Sequence, residues 1–170
     1  MVRIPVAGPW ITQREIDYVT DAVTTCWYGE ANKYHDKFEA AFAEYVGVRH
    51  AVSLPSCTSA IHLSLAALGV GTGDEVIVPA VSFVATVGAV LRTGATPVVV
   101  DVLPAGPWMD PDAAEAAVTA ATAAIIPVHL FGSPAQAPQL GLPIFDDACQ
   151  AVAPKGPSTG LCKALSFYPT

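Results

Sequence analysis

The sequence predicts an α/β fold with a mostly parallel sheet flanked by helices, and three observations lead to this prediction. Short apolar runs recur along the chain, and segments with helical periodicity separate most of them. Several of the runs are apolar throughout, as strands buried on both faces are. Only 14% of the 170 residues are charged and 52% are hydrophobic, which suits such a sheet or a subunit that buries surface against a partner.

Two amphipathic helices are predicted before the first strand. The first begins at a capping box formed by Thr12 and Glu15, and apolar residues follow it at helical spacing. A polar segment that contains glycine, residues 28–32, comes next. The second helix includes Phe38 and Phe42 on its apolar face and ends at Gly47, which takes the position after the last helical turn.

From residue 51 onward the predicted strands and helices alternate. The strands are Ala51–Leu54, Glu75–Pro79, Pro97–Asp101, Ala124–Leu130, Ile144–Asp147 and Ala164–Tyr168. The helices are Ser59–Leu68, Phe83–Arg92 and one that Asp110 and Pro111 open and that runs to about residue 121. In sheets built this way the ligand binds at the carboxyl ends of the strands, so the residues after each strand are the candidates for function.

Charge and hydropathy exclude several classes of function. The formal charge of −7, from 15 acidic and 8 basic residues, argues against binding to nucleic acid or to an anionic membrane. Mean hydropathy is +0.46, but the uncharged run 76–91 is shorter than the roughly 20 residues of a spanning helix. Pro79 and Gly88 also interrupt this run. The first ten residues do not resemble a signal peptide, so we expect a cytoplasmic protein.

The cysteines are predicted to be reduced thiols. The four cysteines have no C-x-x-C spacing, so we expect neither a disulfide nor a zinc site, and no metal site at all. They are Cys26, Cys57, Cys149 and Cys162.

Three strand ends have residues suited to ligand binding. The small hydroxyl residues of Pro55–Ala60 lead into a helix, as in a phosphate site, but on this stretch alone an ordinary helix cap by Ser56 or Thr58 is favoured. Asp146 and Asp147 follow a strand and are suited to a cation, a ribose or a protonated ring nitrogen, or to capping the next loop. Phe83 begins a helix, where an aromatic ring can stack on a planar ligand, but taken alone it is interpreted as a core residue.

Cys57 also suggests a nucleophile, because a thiol at a helix N-terminus has a lowered pKa. The alternative of a cysteine hydrolase is not favoured. His62 is five residues further on, near the opposite side of the first turn, and no His/Asn partner pattern is visible.

Taken together, ten segments resemble the DegT/DnrJ/StrS family, the fold-type-I pyridoxal-phosphate (PLP) enzymes that aminate nucleotide-linked keto-sugars. They occur in the family's order and cover essentially the whole chain. The segments are 4–10, 27–29 with 38–39, 45–48, 55–63, 73–79, 82–86, 94–97, 126–132, 146–150 and 166–170.

The resemblance implies a role for each candidate residue. Thr58, Ser59 and Ser166 would hold the phosphate of PLP, and Phe83 would stack on its pyridine ring. Asp147 would pair with the ring nitrogen and keep it protonated, whereas Asp146, its neighbour in the strand, would face away. Gln150 would hydrogen-bond the oxygen on the ring. Tyr28 and Gly29 would contact the substrate.

The resemblance also implies partners and a larger assembly. The substrates would be a nucleotide-linked keto-sugar and an amino donor such as glutamate, and the full-length enzyme would be a homodimer. Residues 1–170 would form part of the PLP-binding large domain, with the smaller C-terminal domain of the family absent from the chain.

Two departures from the family pattern, the absence of the Schiff-base lysine and of the C-terminal domain, leave alternatives open. The family places its Schiff-base lysine directly after the segment that ends here at Thr170, and the four lysines of the chain stand elsewhere. We therefore interpret the chain as a fragment that is inactive alone, with Thr170 expected beside the cofactor cavity. The alternatives are an inactive pseudo-enzyme or remnant, which binds a partner or does not fold alone, and a lysine-free PLP-dependent sugar dehydratase.

Overall fold

The computed structural model describes residues 10–151 and 160–167. The described residues divide into two compact units, 10–53, and 54–151 with 160–167. The predictions for Tyr168 and Thr170 lie outside the described residues. The elements are α1 Gln13–Thr25, α2 Lys33–Val46, α3 Cys57–Ala67, β1 Glu75–Pro79, α4 Val84–Thr93, β2 Thr96–Val100, α5 Pro111–Ala116, β3 Thr122–Ile125, β4 Phe145–Ala148 and β5 Cys162–Leu165.

The first unit contains the two predicted helices, and both helix ends are confirmed. Thr12 caps α1: its hydroxyl accepts a hydrogen bond from the N–H of Arg14, and its own N–H donates to Glu15 at 2.6 Å. Gly47 ends α2 with a φ of +74°, a conformation that residues with a Cβ rarely adopt. Between the helices, the carboxylate of Asp21 accepts from Lys33 Nζ at 2.8 Å and from the hydroxyl of Tyr34 at 2.7 Å.

The strand predicted at Ala51–Leu54 is wrong, because these residues are irregular. The N–H and the hydroxyl of Ser53 donate to the carboxylate of Glu39 at 2.7 and 2.8 Å. The side chain of Glu39, which belongs to α2, therefore binds the backbone N–H that a strand at these residues would have used for pairing. These two bonds also hold the pKa of Glu39 below its ordinary value.

The second unit is built on parallel strands, which confirms the predicted fold class. β1 lies between β2 and β3 and is parallel to both, and β4 is parallel to β5. Two parallel bridges, Ile125 to Ile144 and Val128 to Asp147, connect β3 and the chain after it to β4. β3 ends at Ile125, earlier than predicted, and residues 130–132 form a 3-10 turn in which Phe131 has a φ of +54°.

The central strand β1 is buried on both faces, as its apolar sequence predicts, whereas Val99 of the edge strand β2 is exposed. Val76 and Val78 of β1 belong to a core with α3 and α4, whereas Ile77, between them in sequence, belongs to a second core on the other face. This alternation follows from the two-residue period of a strand. Phe145 of β4 belongs to the core that α3 and α4 cover, which fixes the side on which Asp147 lies.

Two helix boundaries differ from the prediction by two residues or more. α3 begins at Cys57, two residues early, because Ser56 is its N-cap. α5 ends at Ala116 instead of near residue 121. The N–H of Thr119 donates to the hydroxyl of Thr122 at 2.8 Å, and the hydroxyl of Thr119 donates to Glu75 at 2.5 Å. Local side-chain bonds thus replace the next helical turn.

The prediction that all cysteines are reduced thiols is wrong, because Cys57 and Cys149 form a disulfide. The fold brings the start of α3 next to the end of β4, so that two residues separated by 92 positions have Cα atoms 6.3 Å apart. That separation is suited to a disulfide. Cys26 and Cys162 are free thiols.

Within the two described ranges, no helix combines the length and the apolar character that crossing a bilayer requires.

We expect the disulfide to stabilise the second unit. Replacing Cys149 with alanine should lower the free energy of unfolding by about 2–5 kcal/mol, because the bond closes a long loop in the unfolded chain. Urea denaturation with and without a reductant measures this difference. Cys26→Ala is the matched control, since this thiol is not in the disulfide. If the reductant left the wild-type unfolding curve in place, the disulfide would contribute nothing.

Asp21 should titrate well below an ordinary aspartate. Its hydrogen bonds to Lys33 first and Tyr34 second lower the pKa of Asp21 from 3.8 to about 2. Because the folded pKa lies below the unfolded one, this carboxylate stabilises the fold above about pH 4 and loses that contribution as the pH falls through about 2. Carbon NMR of the carboxyl group follows the titration. Lys33→Met should raise the pKa, whereas Lys37→Met, which removes a cation near the rings of Tyr18 and Tyr34 that does not bond the Asp21 carboxylate, should change it much less.

Candidate active site at the carboxyl edge of the sheet

Asp147 is a buried carboxylate held in place by its backbone. Its N–H donates to the carbonyl of Pro127 at 3.0 Å, and its carbonyl accepts from the N–H of His129 at 2.9 Å. The residue is only 3% exposed and lies on the sheet face that α3 and α4 cover. Parallel pairing therefore fixes the direction in which this side chain leaves the strand.

Donors from two different segments hold the Asp147 carboxylate. The hydroxyl of Thr86, in α4, donates to Oδ2 at 2.6 Å. The N–H of Cys149 donates to Oδ1 at 3.2 Å, and the sulfur of Cys57 lies 3.9 Å from the same oxygen. An ionised carboxylate has about four lone-pair sites, so these two donors leave acceptor capacity for a ligand that carries an N–H.

Asp146, next to it in β4, faces the opposite side of the sheet. It is buried, and its carboxylate lies 3.2 Å from Nε2 of His129. Nδ1 of the same imidazole accepts from the N–H of Ala135 at 2.8 Å, so the proton of a neutral His129 is on Nε2 and points at Asp146. The two aspartates thus have separate partners, and Asp146 anchors the chain after β3 to β4.

Thr58 and Ser59 lie in the first turn of α3, directly after the residue that forms the disulfide with Cys149. The hydroxyl of Ser56 accepts from the N–H of Ser59 at 3.1 Å, so Ser56 is an ordinary N-cap, as one of the two interpretations expected. The N–H groups of a first helical turn have no carbonyl partner within the helix and attract anions. The same helix end therefore has an N-cap and donors that are suited to an anion.

Phe83 is not a core residue. Its side chain is 64% exposed, and the residue is the N-cap of α4, one turn before Thr86. One helical turn thus provides both an exposed aromatic ring and the hydroxyl that holds Asp147.

Gln150 and Ser166 follow β4 and β5 at the same edge of the sheet. The side-chain oxygen of Gln150 accepts from the N–H of Phe131 at 3.3 Å, which turns it towards the 3-10 turn at 130–132. Ser166 comes directly after Leu165, which pairs with Ala148 in the register of the two strands. Both residues are half-buried.

Tyr28 and Gly29 belong to the first unit and lie in a short 3-10 turn between α1 and α2. Tyr28 is 99% exposed and has a φ of +51°. Its side chain is therefore accessible.

Sequence reasoning missed two buried polar groups, Thr86 and His129. Thr86 shares the buried face of α4 with Ala89 and Val90, and a threonine on an apolar helix face was the available signal. His129 had no local signal, because its partner Asp146 is 17 residues away in sequence.

Cys57, Cys149 and Asp147 form the group of possible metal ligands found among the described residues, with ligand atoms within 4.8 Å of one another. The disulfide uses both sulfurs, so in this state the group lacks the thiolates that a soft metal requires.

The arrangement is suited to a planar, anionic ligand with a protonated ring nitrogen. Asp147 provides a buried acceptor for such an N–H, Phe83 provides an exposed ring for stacking, and the start of α3 provides donors for an anion.

Comparisons with known proteins agree with this chemistry. The sequence model of the DegT/DnrJ/EryC1/StrS aminotransferase family matches residues 9–170. A GDP-perosamine synthase of Caulobacter vibrioides is 39% identical over 98% of this chain and 48% of its own length. The chain thus spans about half the length of the curated relatives it matches.

Solved structures are similar to the described fold. DesV of S. venezuelae, in complex with a ketimine intermediate, has a TM-score of 0.75 at 40% identity and covers 82% of this chain and 39% of its own. The PLP form of the putative sugar aminotransferase Spr1654 of Streptococcus pneumoniae has a TM-score of 0.78 at 32% identity, covering 89% of this chain and 44% of its own.

The pairing of Asp146 with His129 should contribute to stability. Asp146→Ala leaves a buried N–H without an acceptor and should lower the free energy of unfolding by about 1–3 kcal/mol. Asp146→Asn retains an acceptor oxygen and should lower it less. Urea denaturation of both variants measures the difference, and equal losses would mean that the imidazole does not depend on this acceptor.

Proposed function

The chain belongs to the DegT/DnrJ/EryC1/StrS aminotransferase family, and from this premise we propose that it forms the cofactor-binding part of a PLP-dependent aminotransferase acting on a nucleotide-linked keto-sugar. One observation carries the proposal: the buried carboxylate of Asp147 lies at the carboxyl edge of a parallel sheet and retains acceptor capacity. This is the position and the chemistry that a protonated pyridine nitrogen requires.

The residues at the sheet edge fit PLP. Asp147 would accept the ring N–H, and Phe83, exposed at the start of α4, would stack on the ring. Thr58 and Ser59 would bind the phosphate from the first turn of α3 through their hydroxyls and the N–H of Thr58, since the N–H of Ser59 already donates to Ser56. Ser166 would add a hydroxyl from the end of β5. Gln150 would donate to the ring oxygen through its side-chain amide, because its oxygen already accepts from Phe131.

These residues have distinct tasks in amino transfer. Bound PLP supplies an electron sink for the carbanion at the substrate carbon. Asp147, as an ionised acceptor, keeps a proton on the ring nitrogen, and burial excludes the water that would otherwise compete for that carboxylate. The lysine that would move the proton at the substrate carbon is expected, by the family pattern, at the position after Thr170.

The proposal extends to a longer polypeptide. Residues 1–170 would be part of the large domain, since the chain spans about half the length of its relatives. A C-terminal small domain and the lysine would complete the site, so that residues 1–170 alone would be inactive. Support for an amino-sugar product comes from the similarity to a GDP-perosamine synthase.

The remaining expectations rest on the family resemblance. They are glutamate as the amino donor, a substrate contact by Tyr28 and Gly29, and a homodimer. Exposed apolar residues on α1 are consistent with a covered surface in the assembly; these are Ile16, Val19 and Val23.

Replacing Asp147 tests the proposal. In the full-length protein, Asp147→Ala should lower the rate of amino transfer from glutamate at least about 100-fold, the scale of one preorganised electrostatic partner. Binding of pyridoxamine phosphate, followed by fluorescence, should weaken in parallel. The fold should remain intact, as measured by circular dichroism.

Asp146→Asn is the control, because Asp146 faces the other side of the sheet and pairs with His129. It should retain amino transfer. An active Asp147→Ala variant together with an inactive Asp146→Asn variant would overturn the assignment. Wild-type protein that bound no pyridoxamine phosphate would overturn the proposed function itself.

A further inference from the structure

Thr86 is a buried polar residue whose position the core does not explain. Its side chain is fully buried on the face of α4 that also presents Ala89 and Val90 to the sheet. A threonine in a helix commonly bonds a carbonyl one turn earlier. Here the hydroxyl instead donates across to Asp147 Oδ2 at 2.6 Å, joining residues 61 positions apart.

This bond controls the orientation of the carboxylate. The N–H of Cys149 holds Oδ1 at 3.2 Å, and the Thr86 hydroxyl holds Oδ2, so each oxygen has one donor. Two donors on opposite oxygens oppose rotation of the carboxylate about its Cβ–Cγ bond. Of the two, the Thr86 bond is the shorter.

We propose that Thr86 is a positioning residue of the proposed aminotransferase: its hydroxyl orients the ionised Asp147 so that the free lone pairs point at the ring nitrogen of the cofactor. Thr86 itself touches neither ring nor substrate. Thr86 lies one turn after Phe83, so α4 positions both the stacking ring and, through Thr86, the carboxylate of Asp147. The inference rests on the proposed function, because it assigns a role towards the cofactor.

The test compares variants of Thr86 in the full-length protein with pyridoxamine phosphate as the probe. Thr86→Val removes the hydroxyl and should weaken binding about 10-fold, the size expected for one hydrogen bond to a charged acceptor. Thr86→Ser retains the hydroxyl and should bind like the wild type. Thr93→Val is the matched control, because Thr93 lies on the same helix and its hydroxyl donates to Val90 instead.

Nitrogen NMR of isotope-labelled pyridoxamine phosphate supplies a readout that a merely structural role would not change. The ring nitrogen should carry its proton in the wild type, in Thr86→Ser and in Thr93→Val, and lose part of it in Thr86→Val. In an Asp147→Asn background, Thr86→Val should cause no further loss of binding, because Thr86 acts through that carboxylate.

Each outcome of these experiments either supports or overturns the proposed role of Thr86. Unchanged binding and an unchanged ring-nitrogen resonance in Thr86→Val would overturn the proposal, as would equal losses in Thr86→Ser and Thr86→Val. If Thr86→Val does not fold, the pair Thr86→Ser and Thr86→Ala isolates the hydroxyl, and equal binding by these two would overturn the proposal. A wild type that did not bind the probe would instead overturn the proposed function.

Discussion

The candidate site depends on the parallel pairing of β4 with the chain that follows β3. The N–H and the carbonyl of Asp147 are both bonded to this chain, at Pro127 and His129. Since neighbouring residues in a strand leave it on opposite faces, this pairing determines that Asp147 faces α3 and α4 and that Asp146 faces away. Every contact of the carboxylate described here, with Thr86 and with the N–H of Cys149, requires that orientation.

The two faces of the sheet consequently have different roles. On one face, a carboxylate that remains available to a ligand is held by a hydroxyl and an N–H, and the Cys57–Cys149 disulfide joins the neighbouring chain segments. On the other face, Asp146 and His129 satisfy each other within the protein. Burying two adjacent carboxylates is costly unless each is hydrogen-bonded, and the structure provides separate partners for both.

Much of the fold follows from local sequence signals, and the differences arise where distant residues meet. β1 has the predicted bounds, and the caps at Thr12 and Gly47 are as expected, because strand patterning and capping are local properties. The strand predicted at Ala51–Leu54 is absent because Glu39 takes the N–H of Ser53. The site residues are predicted from the family resemblance. The disulfide and the contacts of Thr86 and His129 join residues that are far apart in sequence, so the spacing of residues along the chain does not predict them.

The strict alternation along β4 has a consequence for the insertions and deletions that this segment tolerates. A deletion of Phe145 would move Asp147 into the place of Asp146, on the face of His129, and Asp146 into the place of Phe145, in the core that α3 and α4 cover. The strand could remain paired, yet the site would be lost. Length changes should therefore accumulate in the connection at residues 134–143, which precedes the strand, and be excluded from the four residues of β4.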